Sequence, residues 1–132
     1  MTAPVNAASP HLPHAAPIDA YGNGGFRFAG MSHRGSLLCL PNGIWASPIK
    51  SAGEIDDAAL ALALEPAAPD AAVEHFLIGT GKDFIAVSPA LHEAFRSRRI
   101  VVESMSTGAA VRTYNILLGE RRRIGALLVA VD

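Results

Sequence analysis

Two apolar segments in the second half of the chain each end in a turn of small polar residues. Residues 76–78 run into Gly79-Thr80-Gly81, and Ile100 to Glu103 runs through a serine-rich turn to Thr107. Buried strands that end in small polar turns are how an α/β sheet forms a crevice at the ends of its strands. The pattern therefore predicts an α/β fold and a candidate site, although no residue there is a recognisable nucleophile or part of a metal-ligand set.

The length and composition of the chain predict one domain with a single core. The chain has 132 residues, of which 50% are hydrophobic and 17% are charged. Its net charge of −1 argues against a dedicated nucleic-acid-binding protein, since such a domain is normally basic. The single cysteine, Cys39, excludes an intrachain disulfide, and its place in an apolar run predicts a buried hydrophobic side chain rather than a reactive thiol.

No segment has the pattern of a membrane span or of a secretory signal. The apolar runs at 37–40 and 126–131 are far too short to cross a bilayer. The N-terminus has no basic residue before an apolar core. We therefore expect a cytoplasmic or membrane-peripheral protein.

The N-terminal residues differ in composition from the rest of the chain. Residues 1–17 are rich in Ala and Pro and lack hydrophobic periodicity, which predicts a disordered tail before a single domain over residues 18–132. His11 and His14 lie in this tail without a Cys or carboxylate partner. They are therefore not predicted to bind a metal.

The first half of the domain is predicted to be rich in hairpins. Gly22 to Gly25 form a turn cluster, and Phe26-Arg27-Phe28 alternates as a short strand does. Ser36 to Leu40 and Ile44 to Ala46 flank Pro41-Asn42-Gly43, which is a strong hairpin signal.

A helix is predicted between the hairpins and the first central strand. Ser51 and Glu54 have the spacing of a capping box, although a glycine between them weakens it. Asp56 and Asp57 suit a helix N-terminus. We therefore expect a helix over residues 58–64, where the alanine content favours a helix and the spacing of the leucines favours a strand.

The second half of the chain predicts the order β-α-β-α-β. Ser88-Pro89 is a helix start with a cap residue followed by Pro, and Ser106 or Thr107 caps the last long helix. Together with the hairpins, this order predicts a mixed sheet with helices. The three strands are a central strand at Val73 to Ile78, a second central strand at Ile100 to Glu103 and a final strand at Ile124 to Val131.

The candidate crevice has two interpretations. Gly79-Thr80-Gly81 and the helix start at Thr107 place backbone N–H groups and hydroxyls at strand ends, where a helix dipole favours anions. Lys82 and Arg112 could supply positive charge. Alternatively, the glycines only permit tight turns and Thr107 only caps the helix. Likewise, Asn115 either satisfies buried backbone groups or faces the crevice with Thr80.

Other residues give weaker signals. There is no Gly-x-Ser-x-Gly motif of a hydrolase, and His33, His75 and His92 lack the spacing of metal ligands, so no metal site or cofactor is expected. The run Arg121-Arg122-Arg123 is either a solvated helix end or a docking patch for an acidic protein partner or an anionic membrane surface.

Five motifs, taken in order, resemble one protein family. It is a small domain-of-unknown-function family shared by many prokaryotic proteins and by a mitochondrial assembly factor for respiratory complex I, the third in its naming series. The resemblance covers roughly Ile18 to Val131. The motifs are Gly24-Gly25-Phe26-Arg27-Phe28, Gly35-Ser36-Leu37-Leu38, Ile78-Gly79-Thr80-Gly81, Glu103-Ser104-Met105-Ser106-Thr107 and Arg112-Thr113-Tyr114-Asn115-Ile116-Leu117.

The resemblance implies a three-layer α/β fold, with a central mixed β-sheet, flanking helices and an N-terminal β-hairpin layer. It also implies a role without catalysis, in which the mitochondrial relative helps early subunits of the NADH–ubiquinone oxidoreductase to assemble at the inner membrane. The tail of this chain lacks the Arg of a transit peptide, so the chain looks like a bacterial relative. No catalytic residues are carried over. A shared surface is implied at Gly79, Thr80, Gly81, Thr107, Arg112, Thr113 and Asn115.

Two functional hypotheses follow from the sequence and the resemblance. The first is a non-enzymatic interaction protein whose partners are respiratory complex subunits or another assembly factor. The second is a small-molecule or anion-binding protein, or an enzyme, that uses the crevice between Gly79-Thr80-Gly81 and Thr107-Arg112. Nucleic-acid binding is not expected, because only 6% of the residues are aromatic and the net charge is negative.

Overall fold

A computed structural model describes residues 10–132 of the chain, which form a three-stranded and a five-stranded sheet. The small sheet is an antiparallel meander of β1 (Ile18–Gly22), β2 (Gly25–Phe28) and β3 (Met31–Arg34). The prediction of an N-terminal hairpin layer is confirmed, and β3 extends it by a strand that the sequence did not predict. Its residues are mostly exposed, so β3 lacks the apolar pattern of a strand.

The second hairpin supplies two strands of the large sheet. β4 (Ser36–Leu40) and β5 (Gly43–Ser47) are antiparallel, and Leu40 pairs with Gly43 across the two-residue turn Pro41-Asn42. The predicted hairpin is therefore confirmed. Cys39 is buried within β4, as expected, and burial raises the pKa of its thiol to about 12, which makes it unreactive.

The predicted order β-α-β-α-β completes the large sheet. A one-turn helix, α1 (Ala61–Leu64), precedes these elements in the chain. The elements are β6 (His75–Gly79), α2 (Pro89–Arg96), β7 (Val101–Met105), α3 (Thr107–Gly119) and β8 (Ile124–Leu128). Strand β6 is parallel to β7 and to β8, whereas β4 is antiparallel to β8, so the sheet is mixed with the strand order β5-β4-β8-β6-β7.

Two predicted strands differ from the observed ones. The strand predicted over Ile100 to Glu103 as central is β7, which lies at the edge of the sheet, with Val101 57% exposed. The apolar run of β7 is typical of a strand that is covered on both faces, but one edge of β7 and part of one of its faces are exposed to solvent. The last strand ends at Leu128, three residues before the predicted end at Val131.

The two faces of the large sheet form separate halves of the core. Because successive side chains of a strand point to opposite faces, Leu37 and Leu38 of β4 belong to different apolar clusters. One cluster packs against α1 and α2, including Phe95. The other packs against α3 and the small sheet, including Tyr114 and Phe28. The resulting layers confirm the three-layer α/β fold.

The helix predicted over residues 58–64 is shorter in the structure. Only Ala61–Leu64 are α-helical, and the side chain of Ser51 makes no capping hydrogen bond. Instead, Lys50 N donates to Glu54 Oε1 at 3.0 Å, and Ala59 N donates to Asp56 Oδ1 at 2.9 Å. The predicted capping box is therefore wrong, because the chain becomes extended directly after a single 3₁₀ turn at Ala52–Glu54.

The described end of the predicted N-terminal tail lies against the large sheet. His11 N and Leu12 N donate to Ile44 O at 2.8 and 3.2 Å, and Ile44 N donates to Leu12 O at 2.9 Å. Ala16 is buried. The first nine residues of the predicted tail lie outside the described residues. His11 and Leu12 thus pair with the outer edge of β5 at Ile44.

Candidate functional site

A cleft of about 730 Å³ lies at the carboxyl ends of β6 and β8, beside the N-terminus of α3. Strand ends and a helix start meet here, as the sequence pattern predicted. The structure brings Thr80, Gly81 and Arg112 together in this crevice and adds residues that the sequence gave no reason to group. The residues that line the crevice include Tyr21, Lys50, Ala52, Thr80, Gly81, Lys82, Ile85, Gly108, Arg112, Val129 and Asp132.

Thr80 holds the loop that follows β6. Its side chain is buried, and Oγ1 donates to Asp83 O at 2.7 Å, with Met105 O at 3.2 Å as a second acceptor. The same oxygen accepts a hydrogen bond from Ile85 N at 3.0 Å. The hydroxyl thereby fixes the loop from 81 to 85 over the end of the sheet.

Thr107 ties the start of α3 to the ends of β6 and β8. Its Oγ1 donates to Val129 O at 2.7 Å and accepts from Gly81 N at 3.0 Å. Its backbone N donates to Gly81 O at 2.8 Å. The cap of α3 is Ser106, whose Oγ accepts from Ala109 N at 3.4 Å. Of the two predicted caps, the structure therefore selects Ser106.

Gly79 and Gly81 permit close packing and a tight turn. A Cβ atom at Gly79 would lie 3.0 Å from Thr107 Cα and 3.2 Å from Ala110 Cβ, so α3 sits directly on the end of β6. Gly81 has a φ of 111°, which disfavours any residue with a side chain. These glycines thus account for the path of the backbone at the crevice.

Asn115 and Thr113 lie on α3 outside the crevice lining. Asn115 Oδ1 accepts from Ile18 N at 2.9 Å, and Asn115 Nδ2 donates to Ile18 O at 2.8 Å. Asn115 thus binds both backbone groups of one residue at the start of β1 and joins the small sheet to α3. Thr113 is half-buried, and its hydroxyl makes no hydrogen bond to the part of the chain described here.

The rim of the crevice carries three exposed cations: Lys50, Lys82 and Arg112. Within residues 10–132, none of them has a carboxylate within 4.0 Å. Asp132 is the acidic residue of the lining. The two cations predicted from sequence, Lys82 and Arg112, therefore do meet at one site, and Lys50 joins them from the segment after β5.

Exposed apolar side chains stand beside these cations. Tyr21 and Ile85 line the crevice and are exposed, and the neighbouring Phe84 is 60% exposed. Tyr21 lies against α3, because a Cβ atom at Gly108 would come within 3.0 Å of Tyr21 Cζ. The pair Phe84-Ile85 is the signal in the sequence that could have shown this rim, since a loop tip seldom carries adjacent large apolar residues.

The arginine run near the end of α3 is largely engaged within the domain. Arg122 Nε lies 2.9 Å from Glu74 Oε1, and this hydrogen bond lowers the pKa of the Glu74 carboxyl. Arg123 donates to the backbone oxygens of Ala72, at 3.0 Å, and Pro69. Two of the three cations of the predicted docking patch are therefore paired inside the molecule.

The histidines have structural contacts. His75 lies in β6, with Nε2 2.8 Å from Glu103 Oε1 on β7. His33 packs edge-on against His11, and burial lowers the pKa of His33. Over residues 10–132 there is no group of three or more His, Cys, Asp or Glu residues that could hold a metal ion. Nor does any helix in that range have the length and apolar character needed to cross a membrane.

Comparison with known proteins relates the chain to several others. The family described as protein of unknown function (DUF498/DUF598) matches residues 18–129. An uncharacterised protein of Rhodobacter capsulatus is 38% identical over 120 residues, which cover 91% of this chain and 89% of that protein. The crystal structure of an outer membrane protein from Bartonella henselae has a TM-score of 0.85 and 46% identity, covering 92% of this chain and all of the other.

The chain is also similar to a protein with a named role. This is the NADH dehydrogenase [ubiquinone] 1 alpha subcomplex assembly factor 3 of Mus musculus, which is 32% identical over 120 residues. The match covers 89% of this chain and 62% of the mouse protein. The chain thus spans about three-fifths of the length of that assembly factor.

Proposed function

We propose that this chain, which belongs to the DUF498/DUF598 family of proteins of unknown function, acts through protein–protein contacts as an assembly factor for the respiratory NADH dehydrogenase. The observation that carries this proposal is the similarity to assembly factor 3, which extends over 89% of this chain. The family model matches residues 18–129, which include both sheets and most of the residues that line the crevice.

The surface of the crevice supports a role in binding proteins. Tyr21, Phe84 and Ile85 are exposed apolar side chains, and burial of such groups is the main favourable term in protein association. Arg112 and aromatic residues are of the types that are enriched at interfaces. Partners of the proposed assembly factor are subunits of the NADH dehydrogenase or another assembly factor.

We place this activity in the cytoplasm, with transient contact at the inner membrane. Subunits of a membrane-bound dehydrogenase that lie outside the bilayer must be joined to its membrane-embedded part. A partner that binds them before or during this step would work at the membrane surface.

Affinity purification from the native host tests the proposal. The chain, tagged at its N-terminus because Asp132 lines the crevice, is recovered at moderate salt, and the co-purifying proteins are identified by mass spectrometry against an untagged strain. We expect enrichment of identified NADH dehydrogenase subunits or of another assembly factor of that enzyme. Recovery of the chain alone, as a monomer or homo-oligomer, would contradict the assembly role.

A further inference from the structure

The charge of the crevice rim is opposite in sign to that of the chain as a whole. Lys50, Lys82 and Arg112 face one carboxylate side chain, that of Asp132, while the full sequence carries a net charge of −1. A cleft lined by one sign of charge concentrates ligands of the other sign. The crevice is therefore complementary to an anionic ligand.

The two threonine hydroxyls and three backbone N–H groups at the inner end of the crevice are engaged within the domain, so they are not available to a small anion such as phosphate. A small anion needs several donors that converge on it, usually backbone N–H groups and hydroxyls. Here Gly81 N donates to Thr107 Oγ1, Thr80 N donates to Met105 O, and Thr107 N donates to Gly81 O. The hydroxyls of both threonines also donate inside the domain. The cations of the rim are therefore left to bind an anionic ligand large enough to reach from one to the next.

Apolar groups line the same crevice as the cations. Ala52, Gly81 and Val129 contribute buried residues to the lining, and Tyr21 and Ile85 stand exposed at its edge. A site of this kind takes an apolar side chain into the cleft while the charges bind on either side of it. The concave shape favours a peptide side chain over a membrane surface, because a bilayer receives protruding groups and does not fill a cleft.

We propose that the crevice binds an acidic segment of a partner protein that carries an apolar side chain between its carboxylates. This inference rests on the proposed function and names the part of the partner that is recognised. Carboxylates of the segment pair with Lys50, Lys82 and Arg112, and its apolar side chain packs against Tyr21 and Ile85. Charge complementarity on the rim speeds association, and burial of the apolar side chain slows dissociation.

Fluorescence anisotropy with a defined probe tests this inference. The probe is a fluorescein-labelled peptide in which a Leu-Phe pair is flanked on each side by Asp and Glu residues. We expect saturable binding to the full chain that weakens as salt is raised, since exposed charges are screened. Peptides with Ser in place of the acidic residues, or with Ser in place of the Leu-Phe pair, should bind more weakly.

A second experiment keeps the peptide unchanged and reverses the charges on the rim of the crevice. The variant Lys82→Glu/Arg112→Glu should bind the probe at least about 10-fold more weakly, because two attractive contacts become repulsive. The control is Arg96→Glu, which reverses an exposed cation on α2, on the other face of the large sheet. It should bind as the wild type does. Circular dichroism confirms that each variant is folded.

Several results would overturn the inference. One is equal affinity of the charge-reversal variant and the wild type for the probe. Another is sedimentation of the chain with phosphatidylglycerol vesicles when the peptide does not bind, which would assign the rim to a membrane. The third is displacement of the peptide by inorganic phosphate at low millimolar concentration, which would indicate a small-anion site. If Lys82→Glu/Arg112→Glu still co-purifies NADH dehydrogenase subunits, the crevice inference fails while the assembly role stands.

Discussion

The floor of the crevice and its rim differ in what their polar side chains contact. The floor consists of Thr80, which lines the crevice, and Thr107, which lies behind the lining; they are 3% and 0% exposed, and their hydroxyls bond to backbone groups of the domain. On the rim, Lys82 and Arg112 are exposed and have no carboxylate partner among residues 10–132. The two sets lie within a few residues of each other in the sequence, so proximity to a strand end does not reveal which set is bonded within the domain and which set is exposed to solvent.

The difference shows how polar residues at strand ends divide between stability and binding. Burial of a hydroxyl or an N–H group without a hydrogen bond is costly, so the hydroxyls of Thr80 and Thr107 are bonded to backbone groups of neighbouring segments. The long side chain of a Lys or an Arg keeps its charged end in water at little cost, and that end remains available for binding. Substitutions on the floor should therefore change the free energy of unfolding, and substitutions on the rim should change binding.

The largest effect on stability is expected for Thr107→Val. Valine has the shape of threonine but removes the donor to Val129 O and the acceptor for Gly81 N, leaving two buried groups without partners. We expect the free energy of unfolding to fall by about 2–4 kcal/mol. Urea denaturation measures it. Thr113→Val, the same change on the same helix, should cost about 0.5 kcal/mol or less. Equal losses for both variants would show that the two hydrogen bonds of the Thr107 hydroxyl are not what stabilises the fold here.

A smaller loss is expected for Asn115→Ala. The substitution removes both hydrogen bonds to Ile18 and should lower the free energy of unfolding by about 1–2 kcal/mol. Hydrogen exchange of the Ile18 amide should accelerate more than that of the β8 amides, because β1 is released locally. Asn115→Asp keeps the acceptor for Ile18 N and should show an intermediate effect. Unchanged hydrogen exchange of the Ile18 amide in Asn115→Ala would show that these two hydrogen bonds do not hold β1 in place.

The ion pair of Arg122 and Glu74 should have a small effect that depends on pH. The hydrogen bond from Arg122 lowers the pKa of Glu74 below its ordinary value of 4.5. Its contribution to stability is thus complete above pH 4.5 and is lost as the pH falls through the lowered pKa. An NMR titration should show the Glu74 pKa rising toward 4.5 in Arg122→Gln and unchanged in Arg96→Gln. An unchanged pKa in Arg122→Gln would show that this cation is free, like those of the rim.

The smallest effect on stability is expected for Lys82→Glu/Arg112→Glu. Both side chains are exposed and unpaired in the described part of the chain, so the free energy of unfolding should stay within about 0.5 kcal/mol of the wild-type value. Thermal unfolding followed by circular dichroism measures it. A large loss would mean that the rim cations, like the threonines, hold the fold together.

Local signals in the sequence predicted much of the fold. The turn Pro41-Asn42-Gly43 fixed the β4–β5 hairpin, and Ser88-Pro89 marked the start of α2, where Ser88 Oγ accepts from Leu91 N. Both depend on backbone preferences that act within a few residues. Strand β3 and the edge position of β7 were missed, because they depend on pairing and coverage by distant parts of the chain.

The candidate site was predicted in position but not in composition. The sequence placed Thr80 and Arg112 at one crevice, as the structure does. It could not show that the hydroxyls are used internally, since their acceptors, such as Val129 O, come from other elements. Nor could it bring Tyr21 and Lys50 to the same rim, because they are far from Arg112 in the sequence.

Complementation of a deletion strain tests the central claim, that the rim of the crevice acts in assembly of the NADH dehydrogenase. The native host lacking this chain is supplied with the wild type, with Lys82→Glu/Arg112→Glu or with Arg96→Glu, and assembled enzyme is quantified on native gels and by NADH oxidation in membranes. We predict that the wild type and Arg96→Glu restore the enzyme and that the charge-reversal variant, though folded and equally abundant, does not. Full restoration by Lys82→Glu/Arg112→Glu, or normal enzyme in the deletion strain, would contradict the account.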